Sequence, residues 1–531
     1  MSAKVSLYDT TLRDGAQREG VSFSVADKLI IARKLDELGL DYIEGGWPGA
    51  NPKDSEFFAK ASALKLANAR LVAFGSTRRR DLCAAEDPGL AALVASGVRA
   101  VTIVGKASAP QVTQVLEVSL SDNIAMVTES VAYLKSKGMS VFFDAEHFFD
   151  GCKADKDYAL SVLCEAARAG ADCLVLCDTN GGTMPEEIGA IMAGVGRAVD
   201  APLGIHAHND AELAVAVTLA AVRGGAVQVQ GTINGYGERS GNANLCSVIP
   251  ALKIKMGLDC ISDAALARLT EVSRAVSEVA NLTPDPFLPY VGASAFSHKG
   301  GLHVSGVRKW AGSYQHIDPS RVGNQPRTLV SELAGRANII QRAKEIGVNL
   351  SPKCKETQEI LDKVKLFESR GFQYEHAQAS FDLLMRRVLP DYRAPFELVD
   401  FMVIVEKSRR LGSALHGDGM LSEAMVKVRV RQEVMHTAAE GDGPVNALDN
   451  ALRKALCQFY PKLSMVKLVD YKVRILEEST GTESQVRVLI ESSDGTAQWR
   501  TVGSSTNIIE ASWLALADSL EYWLLGHQEG S

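Results

Sequence analysis

The chain has 531 residues, of which 46% are hydrophobic and 23% charged, and its formal net charge is −7. These values are typical of a globular protein, and the length predicts more than one domain. The mild acidity and the lack of a long lysine- or arginine-rich block argue against nucleic-acid or membrane binding. Nine cysteines without a C-x-x-C pair, and an N-terminus without an apolar signal core, predict a reduced, cytoplasmic protein.

From residue 4 to residue 257, short apolar stretches alternate with helical patterns. Each stretch is rich in β-branched or apolar residues, as is typical of a strand covered on both faces. The predicted strands are Val5–Tyr8, Tyr42–Gly45, Arg70–Phe74, Ala100–Val104, Ser140–Asp144, Cys173–Cys177, Leu203–His206 and Val227–Gln230. Eight β-α units in about 250 residues predict an α/β fold with a closed (β/α)8 TIM barrel. The alternative is an open doubly wound sheet, but no G-x-G-x-x-G follows the first strand.

The helical patterns carry recognisable ends. Ser24 is a predicted N-cap for a helix that Gly39 ends. The stretch Met184–Val199 begins with a proline and two glutamates, which favours a helix start. A further helix is predicted to open at Asp210 and to end at the Gly224-Gly225 pair.

The second half of the chain has a different pattern. Residues 258–400 are predicted to be mostly helical, and an α+β region with a repeated strand-and-helix unit follows. The predicted strands there are Val426–Val434, Lys467–Arg474, Val486–Ile490 and Ala497–Val502, with helices at Pro444–Cys457 and Asn507–Leu525. We therefore predict three parts: a barrel over 1–270, helical linker subdomains over 271–395 and a C-terminal domain over 396–531.

Polar residues concentrate where the predicted barrel strands end, which is where a barrel of this type carries its active site. They follow six different strands and include Arg13, Asp14, Gln17, Glu44, Glu146, Thr179, His206, His208 and Asn242. A set of solvated loops does not require this concentration of histidine, carboxylate and amide side chains.

The pair His206 and His208 is two residues apart at a strand end, so both imidazoles can reach one metal ion. Asp14 can complete the set from strand one, and Asn242 can add an oxygen. Such a mixed N/O set suits Zn²⁺, Mn²⁺, Mg²⁺ or Co²⁺. A chelating 2-oxo acid fits the open positions, with Arg13 near the charge on its keto oxygen. Thr179 can bind the carboxylate of that acid or, alternatively, cap a turn.

Several motifs resemble one known family. They are L-Y-D-T-T-L-R-D-G-A-Q, the Glu44 of strand two, D-T-N-G-G, H-A-H-N-D and G-Y-G-E-R-S-G-N-A-N. Together they resemble the metal-dependent barrel Claisen-condensing synthases and lyases, which include isopropylmalate, homocitrate and citramalate synthases. The stretches R-E-G-V-S-F-S and Y-I-E-G-G-W-P-G-A-N-P-K-D are most similar to the bacterial citramalate-forming branch. The resemblance extends over essentially the whole chain.

The resemblance implies roles for individual residues. Asp14, His206, His208 and Asn242 would hold a divalent metal, and Arg13 and Thr179 would contact the 2-oxo acid, with Gln17 and Glu44 in support. Glu146 matches a glutamate that lies near acetyl-CoA and the developing enol. His303 matches a helper histidine from the segment after the barrel, and Tyr314 matches a tyrosine a few residues further on.

The implied reaction joins acetyl-CoA to pyruvate and hydrolyses the thioester, releasing CoA and supplying isoleucine biosynthesis. The C-terminal domain is similar to an amino-acid-binding regulatory domain, which implies an isoleucine effector and a homodimer. The alternative interpretation of this domain is that it has only a structural role in packing. Other interpretations of the whole chain are a sibling synthase for 2-oxoisovalerate, a metal-dependent acyl-CoA lyase, and a non-enzymatic amino-acid sensor.

Overall fold

The computed structural model describes residues 4–298, 301–328, 336–352, 354–407, 420–476 and 484–527. The chain forms two compact units, Met1–Phe296 with Ile317–Pro326, and Ser297–His316 with Arg327–Ser531. The first unit contains the barrel, and the second contains helices and antiparallel sheets. Among the described helices, none combines the length and the apolar character needed to cross a membrane.

Eight parallel strands form a closed barrel in which each strand pairs with its neighbours in chain order and β1 pairs with β8. The strands are β1 (Ser6–Asp9), β2 (Tyr42–Gly46), β3 (Arg70–Ser76), β4 (Ala100–Lys106), β5 (Ser140–Glu146), β6 (Cys173–Asp178), β7 (Leu203–Ala207) and β8 (Gln228–Gly231). Every predicted barrel strand is confirmed, so the closed barrel replaces the open-sheet alternative.

The two faces of the barrel strands are buried in different surroundings. Outward-facing residues such as Leu7, Ile43 and Val101 pack against the surrounding helices in the largest apolar core. Inward-facing residues form a smaller cluster that includes Tyr8 and Cys173. Because both faces are covered, the strands are rich in apolar residues, which is why they were predictable.

Helices surround the barrel. In chain order they are α1 (Val25–Leu38), α2 (Pro52–Ala61), α3 (Pro88–Ala95), α4 (Ala109–Gln114), α5 (Leu120–Ser136), α6 (Phe148–Ala154), α7 (Lys156–Arg168), α8 (Pro185–Ala198), α9 (Ala214–Arg223), α10 (Leu245–Pro250), α11 (Asp263–Leu266) and α12 (Leu269–Val279). The predicted cap of α1 is confirmed, because Ser24 and Asp27 form a reciprocal capping box and Gly39 ends the helix at φ 86°.

The helix predicted to open at Asp210 begins four residues later, at Ala214. The carboxylate of Asp210 is bound to Arg239, with 2.8 Å between Oδ1 and Nε. Glu212 adopts a left-handed conformation at φ 60°, which the first turn of an α-helix excludes. The prediction of the start was therefore wrong, because contacts with the loop after β8 hold these residues outside the helix.

In the second unit, helices α13 (Gly301–Lys309), α14 (Arg336–Glu345), α15 (Lys355–Ser369) and α16 (Gln378–Arg387) precede the sheets. A two-residue parallel pairing joins Ser297–His298 to Arg327–Thr328. Arg342 of α14 forms a two-pronged ion pair with Asp382 of α16, at 2.7 and 2.6 Å. Such a pair fixes the relative orientation of two helices as well as their distance.

Two three-stranded antiparallel sheets, each followed by a helix, form the C-terminal region. The elements are β9 (Glu397–Lys407), β10 (Met420–Val430), β11 (Glu433–Gly441), α17 (Pro444–Leu456), β12 (Lys467–Ile475), β13 (Val486–Ser493), β14 (Gln498–Ser505) and α18 (Ile508–Gly526). The predicted strand Val426–Val434 is wrong, because it runs through a hairpin turn at Arg431, which lies at φ 57°. The sequence analysis also did not identify β9.

The predicted internal repeat is confirmed in detail. The helices α17 and α18 begin at Pro444 and Ile508, which are 64 positions apart. In the first repeat the Thr437 hydroxyl donates to the carbonyl of Ala451, and in the second the Thr501 hydroxyl donates to that of Ala515, both at 2.7 Å. Each buried hydroxyl is thus satisfied by the helix that covers its own sheet.

A buried ion pair fixes the chain after β2. Lys28 and Asp54 are bound to each other, and their side chains are only 3% and 8% exposed. Lys28 also donates to the carbonyl of Gly45 at 2.9 Å, and Asp54 accepts from the backbone of Trp47 at 2.9 Å. The pair therefore holds the backbone immediately after Glu44.

We predict that Asp54→Ala destabilises the barrel by about 3–5 kcal/mol, because it leaves the Lys28 ammonium buried without its counter-charge. The matched control is Lys60→Ala, which removes an ion pair whose members are 57% and 54% exposed; its effect should stay within about 0.5 kcal/mol. Urea unfolding followed by circular dichroism measures both. Equal effects of the two substitutions would contradict the prediction.

Candidate metal centre and active site

Asp14, His206 and His208 meet at the carboxyl end of the barrel. Oδ2 of Asp14 lies 3.2 Å from Nε2 of His206 and 4.0 Å from Nε2 of His208, and the two Nε2 atoms are 3.3 Å apart. All three residues are buried, and they form the one cluster of His, Cys, Asp or Glu among the described residues with the spacing of a metal site. Two imidazole nitrogens and a carboxylate oxygen that lie this close together suit a divalent ion with N/O ligands.

Asn242 is next to this cluster, because its backbone pairs with that of His208. A single antiparallel bridge pairs it with His208 across the barrel end. Its Nδ2 donates to the carbonyl of Tyr236 at 3.0 Å, while its Oδ1 is buried and has no hydrogen-bond partner among the described residues. A buried oxygen without a partner is costly, and a bound metal ion would satisfy it.

The orientation of Asn242 depends on a glycine. Gly237 lies at φ 157°, and a Cβ at this position would collide with Nδ2 of Asn242. The loop after β8 therefore needs glycine here because the amide packs directly against the backbone. The sequence shows this requirement only as one glycine in a glycine-rich motif.

The two histidines are held in different electrostatic states. Nδ1 of His206 lies 2.8 Å from Oε1 of Gln230, whose own Nε2 lies 3.2 Å from Oδ1 of Asp144. Burial by itself lowers the pKa of His206, but the Asp14 carboxylate raises it above its usual value. Burial, together with the nearby His206, lowers the pKa of His208 to about 4, so its ring is neutral at pH 7.

Asp14 and Asp144 are both buried but differ in charge partners. Burial raises the pKa of Asp144 to about 7. For Asp14 burial acts in the same direction, but the Arg13 guanidinium and then His206 outweigh it and hold the pKa well below its usual range. The Asp14 carboxylate is therefore ionised at neutral pH, which is the state that a metal ligand requires.

Arg13 is held in place from two sides. Its Nε donates to Oε1 of Glu44 at 2.6 Å, and its guanidinium carbon lies 3.8 Å from the centre of the Phe74 ring. The Tyr8 hydroxyl donates to the other oxygen of Glu44 at 2.6 Å and lies 2.6 Å from Oγ1 of Thr102. Glu44 therefore has both oxygens occupied and acts as a support for Arg13.

Glu146 ends β5 and lies beside a lysine that the sequence analysis missed. Nζ of Lys106 is 2.5 Å from Oε2 of Glu146, and the two residues are also register partners on β4 and β5. The side chain of Glu146 is 26% exposed, so it remains accessible. Lys106 could have been found only from the register of β4 against β5, which places it opposite Glu146. The sequence does not give this register.

His147 joins β5 to the loop after β6. It adopts a left-handed conformation at φ 57°, which is uncommon for a residue with a side chain. Its backbone N–H donates to Oγ1 of Thr179 at 2.8 Å. Thr179 accepts this bond through a lone pair of its oxygen, so its hydroxyl hydrogen is available to donate to another acceptor.

The remaining predicted residues lie apart from this cluster or in the other unit. Gln17 is exposed in a short 3-10 helix, Gly15–Gln17, after β1. His303 and Tyr314 belong to the second unit, where their rings stack with centres 4.2 Å apart. The two predicted helper residues, His303 and Tyr314, are therefore in contact with each other.

Family models match three successive parts of the chain. Residues 4–276 match the HMGL-like family, residues 290–371 the homocitrate synthase post-HMGL domain-like family, and residues 375–524 the LeuA allosteric (dimerisation) domain. The first match covers the barrel with all of its candidate site residues.

Similar proteins align over nearly the whole chain. The (R)-citramalate synthase of Geobacter sulfurreducens is 53% identical over 526 residues, which cover 99% of this chain and 98% of that protein. The (R)-citramalate synthase of Aquifex aeolicus is 51% identical over 532 residues, covering 100% and 99%. A probable 2-isopropylmalate synthase of Methanopyrus kandleri is 34% identical over 517 residues, covering 96% and 97%.

We predict that Mn²⁺, Mg²⁺, Zn²⁺ or Co²⁺ raises the melting temperature of chelator-treated protein. A ligand at 100 times its Kd stabilises the folded state by about 2.7 kcal/mol. Asp14→Asn and His208→Asn should lose this shift, because each removes one of the converging ligand atoms. His436→Asn, which changes an exposed histidine of the second unit, should keep it. An undiminished shift in both site variants would show that the ion binds elsewhere.

Proposed function

The chain belongs to the HMGL-like family and, within it, to the (R)-citramalate synthases. On this premise we propose how its residues catalyse the condensation of acetyl-CoA with pyruvate. The enzyme joins the acetyl group of acetyl-CoA to pyruvate and hydrolyses the thioester, which gives (R)-citramalate and CoA. The observation that carries this assignment is the full-length identity with synthases of that activity. The product feeds the synthesis of 2-oxobutyrate and isoleucine.

Asp14, His206, His208 and Asn242 are the proposed metal ligands. The partnerless Oδ1 of Asn242 and the convergence of both Nε2 atoms on Asp14 fit a divalent ion of the Mn²⁺, Mg²⁺, Zn²⁺ or Co²⁺ type. When bound, the ion supplies Lewis-acid polarisation of a 2-oxo acid and a template for its carboxylate and keto oxygens.

Arg13 and Thr179 are the proposed pyruvate contacts. The Arg13 guanidinium, fixed by Glu44 and Phe74, supplies a positive charge for the oxygen that becomes an alkoxide. The Thr179 hydroxyl accepts from His147 and so has its hydrogen available for the pyruvate carboxylate. Both groups are oriented by the protein before substrate binds, which lowers the cost of ordering them in the transition state. Gln17 and Glu44 are proposed to support these contacts.

Glu146 is the proposed base for the methyl group of acetyl-CoA, with His303 and Tyr314 as helpers. Removal of a methyl proton gives an enolate whose carbon bonds to the keto carbon of pyruvate. The keto oxygen takes up the negative charge and then a proton. Water next attacks the thioester, and the thiol of CoA leaves. The acetyl C–H is a weak acid, so a positioned base and stabilisation of the enolate oxygen are both required.

We propose a homodimer regulated by isoleucine through the C-terminal domain. The match to a LeuA allosteric (dimerisation) domain supports it. The first strand of each sheet exposes large apolar side chains, among them Met402 on β9 and Val473 on β12, as an association surface does. Arg387 of α16 pairs with Asp518 and Glu521 of α18, both at 2.7 Å, which links the helical segment to the repeat helix.

We predict that Glu146→Gln lowers kcat by about 10²–10⁴-fold, because the amide cannot accept the methyl proton. The matched control Glu56→Gln neutralises a carboxylate that is 54% exposed, and it should leave kcat unchanged. CoA release is followed with a thiol reagent at saturating acetyl-CoA and pyruvate. Turnover of Glu146→Gln within about twofold of the wild type would remove Glu146 from this role.

We predict that pyruvate gives the highest kcat/KM among pyruvate, 2-oxobutyrate, 2-oxoisovalerate and 2-oxoglutarate, and that isoleucine inhibits more strongly than leucine. Each additional methylene in a pocket shaped for a smaller group changes kcat/KM by about 10–200-fold. The same CoA-release assay measures all four acids with and without each amino acid. Preference for 2-oxoisovalerate with leucine inhibition would instead assign the enzyme to isopropylmalate synthesis.

A further inference from the structure

A cavity lies in the first unit, beside the loops that follow β1 and β8. Its volume is about 330 Å³, and its lining includes Arg18, Tyr236 and Arg274. We call it the Arg18–Arg274 pocket. None of the candidate metal or substrate residues lines it, and its volume is within the range of small-molecule sites.

The pocket contains two arginines without a carboxylate partner. Neither Arg18, which follows β1, nor Arg274, which lies on α12, forms an ion pair within the part of the chain that the structure describes. Both side chains are exposed, and Arg18 lies with its guanidinium carbon 5.3 Å from the centre of the Tyr236 ring. The single acidic residue of the lining, Asp285, uses Oδ1 to accept the N–H of Phe287 at 2.8 Å. The lining therefore carries a net positive charge.

Four uncharged polar side chains of the pocket are bonded to one another. Asn234 adopts a left-handed conformation at φ 61°, and its Nδ2 donates to Oγ of Ser277 at 3.0 Å. Oγ of Ser273 donates to Oδ1 of Asn234 at 2.6 Å, and the Tyr236 hydroxyl lies 3.0 Å from Oγ of Ser277. The guanidinium groups are consequently the main polar groups left for a ligand.

The opposite part of the lining is apolar. Leu282, Leu288 and Val291 face the cavity together with Pro284 and Pro286. Val291 is 3% exposed, so this surface is continuous with the core of the unit. Two positive charges next to a hydrocarbon surface recognise a molecule with an anionic end and an aliphatic body.

We propose that the Arg18–Arg274 pocket binds a small aliphatic carboxylate, with its carboxylate group on the two guanidiniums and its carbon chain against Leu282, Leu288 and Val291. The pocket is connected to the metal centre through Tyr236. Tyr236 forms part of its wall, and the carbonyl of the same residue accepts the bonds from Asn242 and, at 2.7 Å, from Thr232. A ligand in the pocket thus contacts the residue that orients Asn242.

The test is isothermal titration calorimetry of the full chain with 2-methylsuccinate and with isovalerate. Both probes lack the 2-oxo or 2-hydroxy group, so they cannot form the chelate that a 2-oxo acid forms with a metal ion, and the variants below distinguish the two sites. We expect one site per chain for at least one probe. Arg18→Gln and Arg274→Gln should each weaken binding at least about tenfold, the effect of losing one charge-assisted hydrogen bond.

Two control variants separate this pocket from the proposed active site. Arg223→Gln changes another exposed arginine of the same unit, and Thr179→Val changes a proposed pyruvate contact; both should bind the probes as the wild type does. Binding of methylsuccinate alone identifies a dicarboxylate site, and binding of isovalerate alone a monocarboxylate site. Absence of binding by both probes at about 10 mM, or wild-type affinity of both arginine variants for the probes, overturns the proposal, whatever the CoA-release assay gives.

Discussion

Burial of the Asp14 carboxylate is the constraint on which the carboxyl end of the barrel depends. The residue is 2% exposed, and a buried charge is tolerated only with close partners. Those partners are Arg13 from the same turn and His206 from β7, on the other side of β8. The carboxylate therefore links the first turn of the barrel to its seventh strand, and both histidines are oriented by the same charge.

The side chains inside the barrel change from apolar to polar along its axis, and Tyr8 lies at the boundary between the two. Its ring packs at 84° to the ring of Phe142 within the apolar cluster, and its hydroxyl bonds to Glu44 at the polar end. Glu44 in turn holds Arg13, and Gln230 holds His206 from the neighbouring strand β8. Arg13 and His206 are therefore each supported by an interior residue that is itself hydrogen-bonded, which is the arrangement that preorganised catalysis requires.

The C-terminal region of the second unit is built from two copies of a sheet-and-helix repeat, whereas the first unit is built on a closed sheet. Each three-stranded sheet is covered on one face by its own helix, and equivalent threonines anchor the two helices. The first strand of each sheet keeps apolar side chains exposed. The ion pairs of Arg387 with α18 join this region to α16, and the pair of Arg342 with Asp382 joins α16 to α14. A change in packing of the repeats would therefore reach those helices through fixed contacts.

The sequence by itself determined the eight barrel strands, the capped helix α1, the repeat of the C-terminal region and the family. Those features depend on local periodicity, capping and motif spacing, which are determined by residues close together in the sequence. It also identified the residues that converge on Asp14, because strand ends of a closed barrel meet on one side. Whether these residues act as assigned stays a prediction that the metal and Glu146 experiments test.

Only the tertiary structure decided the partners of those residues. Lys106 beside Glu146, Gln230 behind His206, the partnerless oxygen of Asn242 and the Arg18–Arg274 pocket all result from contacts between distant segments. The late start of α9 and the hairpin turn at Arg431 have the same origin, because contacts with other strands and loops override local helix and strand preference. The physical reason is that burial, and with it the need for a partner, is a property of the folded chain and not of any single stretch.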